Sequence, residues 1–189
     1  GMPARPAPLG SAGRACRGGE LQIGDESGTP APAGENGEVV TRGDHVMPGY
    51  WGHTDDPAAG KTIRDGWLHT GDLGRLDSDG HLYLVDRKGD MIISGGYNIY
   101  PREVEDVIAE IPGVHEVAVV GLTDPEWGQR VAAAYSVHAG ATVSPDQVIA
   151  HCRARLASYK KPKLVREVTG FPVNSTGKIA KRELQRMLA

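Results

Sequence analysis

Groups able to hold a polar or anionic molecule are concentrated in three short stretches of this 189-residue chain. The first is Gly66-Trp67-Leu68-His69-Thr70-Gly71-Asp72-Leu73, in which Asp72 closes a strand-like run. A carboxylate accepts hydrogen bonds from two neighbouring hydroxyls, as a vicinal diol requires; in a tight turn the same side chain bonds its own backbone instead. The second runs from Asp86 to Glu105. It packs a charged turn, a short apolar strand, the pair Gly95-Gly96 and a helix opened by Pro101 into twenty residues. Glycine lets backbone approach another group with no Cβ in the way, and proline at the first helical position forfeits no hydrogen bond. Together these read as a hinge with a binding surface beside it. The third is Pro172-Val173-Asn174-Ser175-Thr176-Gly177-Lys178. Its Gly-Lys pair is not a Walker loop, which needs Gly at 172 and Ser or Thr at 179; the chain has Pro172 and Ile179.

Charge is unevenly spread. Residues 1–150 hold 11 Lys and Arg against 22 Asp and Glu, whereas residues 151–189 hold 10 against 2. The basic tail suits an anionic partner, although a solvated helix face accounts for it equally well. Phe171 and Tyr159 are the only aromatic residues there, so the interleaved stacking platform of a nucleic-acid binder is missing. A phosphorylated small molecule needs only a few such cations. No apolar run approaches the roughly 18 residues of a membrane helix, and Gly1–Pro6 lacks the apolar core of a signal peptide. Cys16 and Cys152 have no metal-site or disulfide spacing. A cytoplasmic enzyme is expected.

The elements that must position these residues change character near residue 89. Up to residue 88 the chain alternates short apolar runs with turns: Leu21-Gln22-Ile23, Glu38 to Arg42, Gly66 to His69 and His81 to Val85, with Asp77-Ser78-Asp79-Gly80 as a strong turn. Such a unit is too small to bury much of a core by itself. From 89 onward, strand-like Met91 to Ser94 precedes an amphipathic helix from Pro101 to Ile111, with Val104, Val107, Ile108 and Ile111 on one face. Strands are expected at 114–122 and 130–138. A capping box, Ser144-Pro145-Asp146-Gln147, opens a helix to about Leu156. A short strand at 164–168 and a helix from about Ala180 to Leu188 follow. The expected fold is α+β: a partial β-rich piece over 1–88, then a domain over 89–189 with a three-stranded sheet and helices.

The three stretches, in this order and spacing, resemble the ribose-binding, hinge and C-terminal lysine motifs of the adenylate-forming superfamily. That family includes acyl-CoA synthetases, adenylation domains of peptide synthetases and firefly luciferase. The resemblance runs from about Gly10 to the end of the chain. It implies that Asp72 holds a ribose diol and that Arg87 contacts ribose and nucleotide phosphate. Lys178 would bridge a substrate carboxylate and the α-phosphate of ATP. Gly95 and Gly96 would line the path of the pantetheine thiol, with Trp127, Tyr159, Lys161 and Lys163 contacting coenzyme A. The pivot of the C-terminal domain falls on Gly89, where the family usually has Asp or Lys; glycine keeps rotation possible but defines each end state less sharply.

The implied parent is an acid–thiol ligase that uses ATP, Mg²⁺ and coenzyme A to activate a carboxylic acid, with wording nearest to fatty-acyl and related short or medium acyl-CoA ligases. The larger N-terminal domain, with its phosphate loop and acid pocket, is expected as a partner, and these 189 residues alone are expected to be inactive. Two other readings stay open: an adenylation domain that loads a carrier protein, and a non-catalytic nucleotide- or CoA-binding module.

Overall fold

In the computed structural model, residues 7–25, 29–48 and 62–189 are described; the reading of Gly1–Pro6 falls outside them. The chain divides into two compact units, Gly1–Gly89 and Asp90–Ala189.

Among the described residues, short alternating runs give the first unit a five-stranded sheet. β1 (Gly19–Gly24) pairs antiparallel with β2 (Gly37–Gly43), which pairs with the long β4 (Trp67–Leu76). The other edge of β4 is shared by β3 (Ile63–Arg64) and β5 (Leu82–Arg87). Two tight turns set these registers. Asp65 and Gly66, both at positive φ, form the two-residue loop between β3 and β4, the form that matches the twist of paired strands. Asp77 accepts the N–H groups of Asp79 and His81 through Oδ1 and closes the β4–β5 turn. Only Ile23, Val39, Val40 and Leu73 are buried apolar residues among the described residues of this unit.

The second unit is built on β8 (Val114–Asp124) and β9 (Gly128–Val137), paired antiparallel along nearly their whole length. β10 (Leu164–Glu167) lies parallel to β9. Successive side chains of a strand point to opposite faces, and here both faces are covered. Val119, Val131, Ala133 and Tyr135 pack with α1 (Pro101–Ala109) and α2 (Pro145–Arg155). Ala118, Val120, Ala132 and Ala134 pack with Leu184 and Leu188 of α3 (Lys181–Leu188). The capping box of α2 is formed: Gln147 N–H donates to Ser144 Oγ, and Ser144 N–H donates to Gln147 Oε1. The sheet has five strands rather than the expected three. β6 (Ile92–Ser94) and β7 (Tyr97–Ile99) form a hairpin that joins β9 through Ser94 and Gly128. β6 falls on the strand-like run expected at 91–94, whereas the three residues of β7 are too few to leave a periodic signal.

Candidate functional site

The β4–β5 hairpin carries Asp72 and Arg87 opposite each other in register, with Arg87 Nε 2.7 Å from Asp72 Oδ1. Their side chains are 30% and 66% exposed respectively. An ion pair this open contributes about 0–1 kcal/mol to stability, so its polar groups are available to a ligand rather than committed to the fold.

Asp72 sits on a bulge. Between Glu38 and Val40 of β2, the partner strand β4 runs from Leu73 back to His69, and bulges of this kind re-aim side chains. Gly71 turns the backbone with φ of 73°, a conformation that favours glycine. The bulge is stitched down on all sides. Thr70 Oγ1 donates to Val39 O at 2.8 Å and accepts the Asp72 N–H at 3.1 Å. Lys88 N–H donates to Gly71 O at 2.8 Å, and Gly71 N–H donates to Glu38 Oε1 at 3.3 Å.

Glu38 has no counterpart in the sequence reading. Its carboxylate lies 3.1 Å from His69 Nδ1 and 2.9 Å from Lys88 Nζ, and is largely buried. Burial opposes ionisation, but hydrogen bonds from His69 and Lys88 and their charges outweigh it, so the carboxyl titrates below the usual glutamate value. The three partners lie 31, 33 and 50 residues away along the chain, a separation that leaves no motif to read. Glu38, His69 and Lys88 line a cleft of about 210 Å³ together with Gln22, Arg64 and Trp67.

In the second unit Gly95 and Gly96 turn the β6–β7 hairpin with φ of 57° and 82°. Gly95 N–H donates to Trp127 O at 2.9 Å, and a Cβ at 95 would lie 2.5 Å from the Trp127 ring. At Gly96 a Cβ would meet nothing within 4 Å. Trp127 is held from below, because Asp124 Oδ1 accepts the N–H groups of both Glu126 and Trp127. Those two bonds, with the positive charges of Lys163 and Arg130 nearby, keep Asp124 below the usual aspartate value against the opposing effect of burial. Lys163 Nζ stands 4.6 Å from the Trp127 ring centroid. Tyr159 stacks on Tyr97 at 4.4 Å, and both rings are substantially exposed.

Lys160 stands between the candidate coenzyme A contacts Tyr159 and Lys161. The structure commits that side chain to Glu103 of α1, with Nζ 2.6 Å from each carboxylate oxygen. Lys161 is half-buried and Lys163 exposed. Lys178 ends a loop built on Asn174, whose Oδ1 accepts the Thr176 N–H, the Thr176 hydroxyl and the Lys178 N–H. Val173 and Ile179 pair across the base of this loop. Within the second unit no described carboxylate pairs with the exposed Lys178 ammonium. Lys181, three residues on, is tied to Glu105 at 2.9 Å and to Asp90 at 3.8 Å. Gly89 lies at the boundary of the two units, and a Cβ there would meet nothing within 4 Å. The structure therefore groups Asp72 with Arg87, Gly95 with Trp127 and Lys163, and Tyr159 with Tyr97. Among the described residues no cluster of three or more His, Cys, Asp or Glu is arranged to hold a metal ion.

Two family models match the chain: the AMP-binding enzyme model over residues 2–51 and the AMP-binding enzyme C-terminal domain model over residues 103–178. A feruloyl-CoA synthase of Amycolatopsis sp. is 44% identical over 178 residues, covering 94% of this chain and 36% of that protein. A 2-succinylbenzoate–CoA ligase of Bacillus cereus is 43% identical over 180 residues, covering 95% and 36%. Among solved structures, ATP-bound MatB from Rhodopseudomonas palustris aligns with a TM-score of 0.87 at 35% identity, covering 94% of this chain and 35% of that one. The amide bond synthetase McbA from Marinactinospora thermotolerans aligns with a TM-score of 0.87 at 40% identity, covering 96% and 37%. The chain thus spans about a third of the length of the relatives it matches. On these matches the chain belongs to the adenylate-forming, AMP-binding enzyme family.

Proposed function

We propose that these residues are part of an AMP-forming acid–thiol ligase that makes an acyl-CoA thioester from a carboxylic acid, ATP and coenzyme A. In the first half-reaction a carboxylate oxygen attacks the α-phosphorus of ATP and pyrophosphate leaves. In the second the thiol of coenzyme A attacks the acyl carbon, AMP leaves, and the thiol proton goes to solvent. The observation that carries the reading is the Asp72–Arg87 pair, a half-open carboxylate and guanidinium held at 2.7 Å on a stitched bulge. Asp72 accepts from the ribose diol, and Arg87 supplies donors in a fork suited to phosphate.

Lys178 is the catalytic group. Its exposed ammonium, at the end of the Asn174 loop and with no described carboxylate partner in its unit, bridges the two anions that must meet and stabilises charge building on the transferred phosphorus. Gly95 and Gly96 lie along the pantetheine path, and Trp127, Tyr159, Lys161 and Lys163 contact coenzyme A; the Lys163–Trp127 and Tyr97–Tyr159 contacts support that assignment by showing an aromatic surface with ammonium groups beside it. Gly89 is the pivot between the two half-reactions, which separates in time two geometries that conflict in space.

The acid pocket and phosphate loop belong to a preceding domain, and the 189 residues alone are inactive. The test is AMP release that depends on both acid and coenzyme A. It is expected from the longer protein and absent from this chain. Release by the chain alone overturns the second statement. A longer protein that acylates only a carrier protein and never free coenzyme A overturns the first.

A further inference from the structure

We propose that Glu38 is a positioning residue that presents Asp72 to the nucleotide by holding the β4 bulge in place. The proposal rests on the nucleotide reading of Asp72 and Arg87 given above. Its physical basis lies in three contacts that tie one carboxylate to the bulge, with a fourth, backbone contact beside them. Glu38 Oε1 takes the Gly71 N–H, the donor immediately before Asp72. Glu38 Oε2 takes His69 Nδ1, three residues before Asp72 on the same strand, and Lys88 Nζ, the residue after Arg87. Lys88 in turn donates its N–H to Gly71 O. One side chain on β2 thus braces the strand that carries Asp72 and the strand end that carries Arg87.

Hydrogen bonds to an ionised acceptor are roughly twice as strong as neutral ones, and the largely buried carboxylate faces two cationic or polar donors and an N–H at once. The Glu38→Gln substitution keeps the volume and one carbonyl oxygen. It also replaces one acceptor with an NH₂ that points donors at His69, at Lys88 or at the Gly71 N–H. The bulge then loses a restraint, and Asp72 loses its register against Arg87.

Two measurements separate this proposal from the reading it rests on. In the 189-residue chain, the ¹⁵N-resolved Arg87 Nε–H signal reports the Asp72 contact without any nucleotide. Asp72→Ala should move it, and Glu38→Gln should move it in the same direction. Lys88→Met, which removes only one of the contacts to the carboxylate, should move it less. An Arg87 signal unchanged in Glu38→Gln while Asp72→Ala shifts it overturns the proposal. A Glu38→Gln chain that has lost the dispersed amide spectrum of its first unit overturns it too, since Glu38 would then be a folding residue. In the longer protein, Glu38→Gln should raise the KM for ATP by roughly tenfold or more and leave the KM for coenzyme A unchanged, since misplacement of a binding group by about 1 Å can cost up to about 10²-fold. An unchanged KM for ATP in Glu38→Gln, with a raised one in Asp72→Ala, overturns the proposal. If Asp72→Ala itself leaves that KM unchanged, the nucleotide reading fails, and the Arg87 signal still decides whether Glu38 positions Asp72.

Discussion

Replacing Gly95 by alanine tests whether the β6–β7 turn is built around the Trp127 ring. The new Cβ would lie 2.5 Å from Cε3 and 2.8 Å from Cζ3 of that ring. Carbons at rest sit about 3.5–4.0 Å apart, so the indole must retreat by about 1 Å. The backbone adds its own cost. Gly95 has φ of 57°, where an L-residue is disfavoured by about 1–2 kcal/mol. Trp127 is 41% exposed, and displacing its ring breaks its contact with Lys163, worth about 0.5–1 kcal/mol at an open site.

The sum is about 1.5–3 kcal/mol. Gly96→Ala is the matched control: its φ is 82° and a Cβ there meets nothing within 4 Å, so it carries the backbone cost alone. At roughly 4–8 °C per kcal/mol for a domain of this size, Gly95→Ala should melt about 2–8 °C below Gly96→Ala. The assay is thermal unfolding of the chain followed by circular dichroism, with emission from Trp127, the single tryptophan after residue 89. A red shift of that emission in Gly95→Ala and none in Gly96→Ala is expected. Two variants that melt together with unchanged emission would refute the steric argument and leave only backbone strain. In the longer protein the same substitution should slow thioester formation and spare pyrophosphate exchange.

Lys178→Ala should lower acid-dependent pyrophosphate exchange by roughly 10²–10³-fold and leave thioester formation from supplied acyl-adenylate within a few fold; equal loss of both half-reactions contradicts the assignment. Gly89→Pro should show the opposite pattern, with exchange retained and thioester formation lost, because proline locks φ at the pivot. Glu38 has a folded-state titration below its ordinary value, so its contribution to stability is present above the unfolded glutamate pKa and is lost as pH falls through the folded one. Urea unfolding of the first unit should therefore weaken on acidification below about pH 4.5, and Glu38→Gln should flatten that limb; an identical acid limb in the variant counts against the linkage. Cys152 is buried and its thiol is pushed up to about 11 by desolvation, whereas Cys16 is exposed. Thiol titration at pH 8 should label one cysteine in the native chain and two in urea, and fast labelling of both in the native chain contradicts the burial.

Much of the local structure was legible because it is encoded locally. The box around Ser144 and Gln147, Pro101 at a helix start and the Asp77–Gly80 turn each depend on residues within four positions of one another, and each is formed. The candidate site was legible for the same reason: Asp72, Arg87 and Lys178 sit in short runs with their own glycines, threonines and asparagine. What escaped depends on distant partners. Nothing around Lys160 foretells that it is bound by Glu103, 57 residues earlier, and the β6–β7 hairpin joins the larger sheet only because Ser94 reaches Gly128.

By itself, then, the sequence determined the α+β character of the chain and the change of character near residue 89, and it named Asp72, Arg87 and Lys178 as candidates, since residue type, spacing and turn chemistry are properties of neighbours. Tertiary structure alone decided which of those groups are available. It left the Asp72–Arg87 pair half open and the Lys178 ammonium unpaired within its unit, committed Lys160 and Lys181 to ion pairs, and gathered His69, Gly71 and Lys88 onto Glu38. The reason is that a hydrogen bond or ion pair is set by distance in space, and only the folded sheets bring residues 31 to 57 positions apart within 3 Å or so of each other.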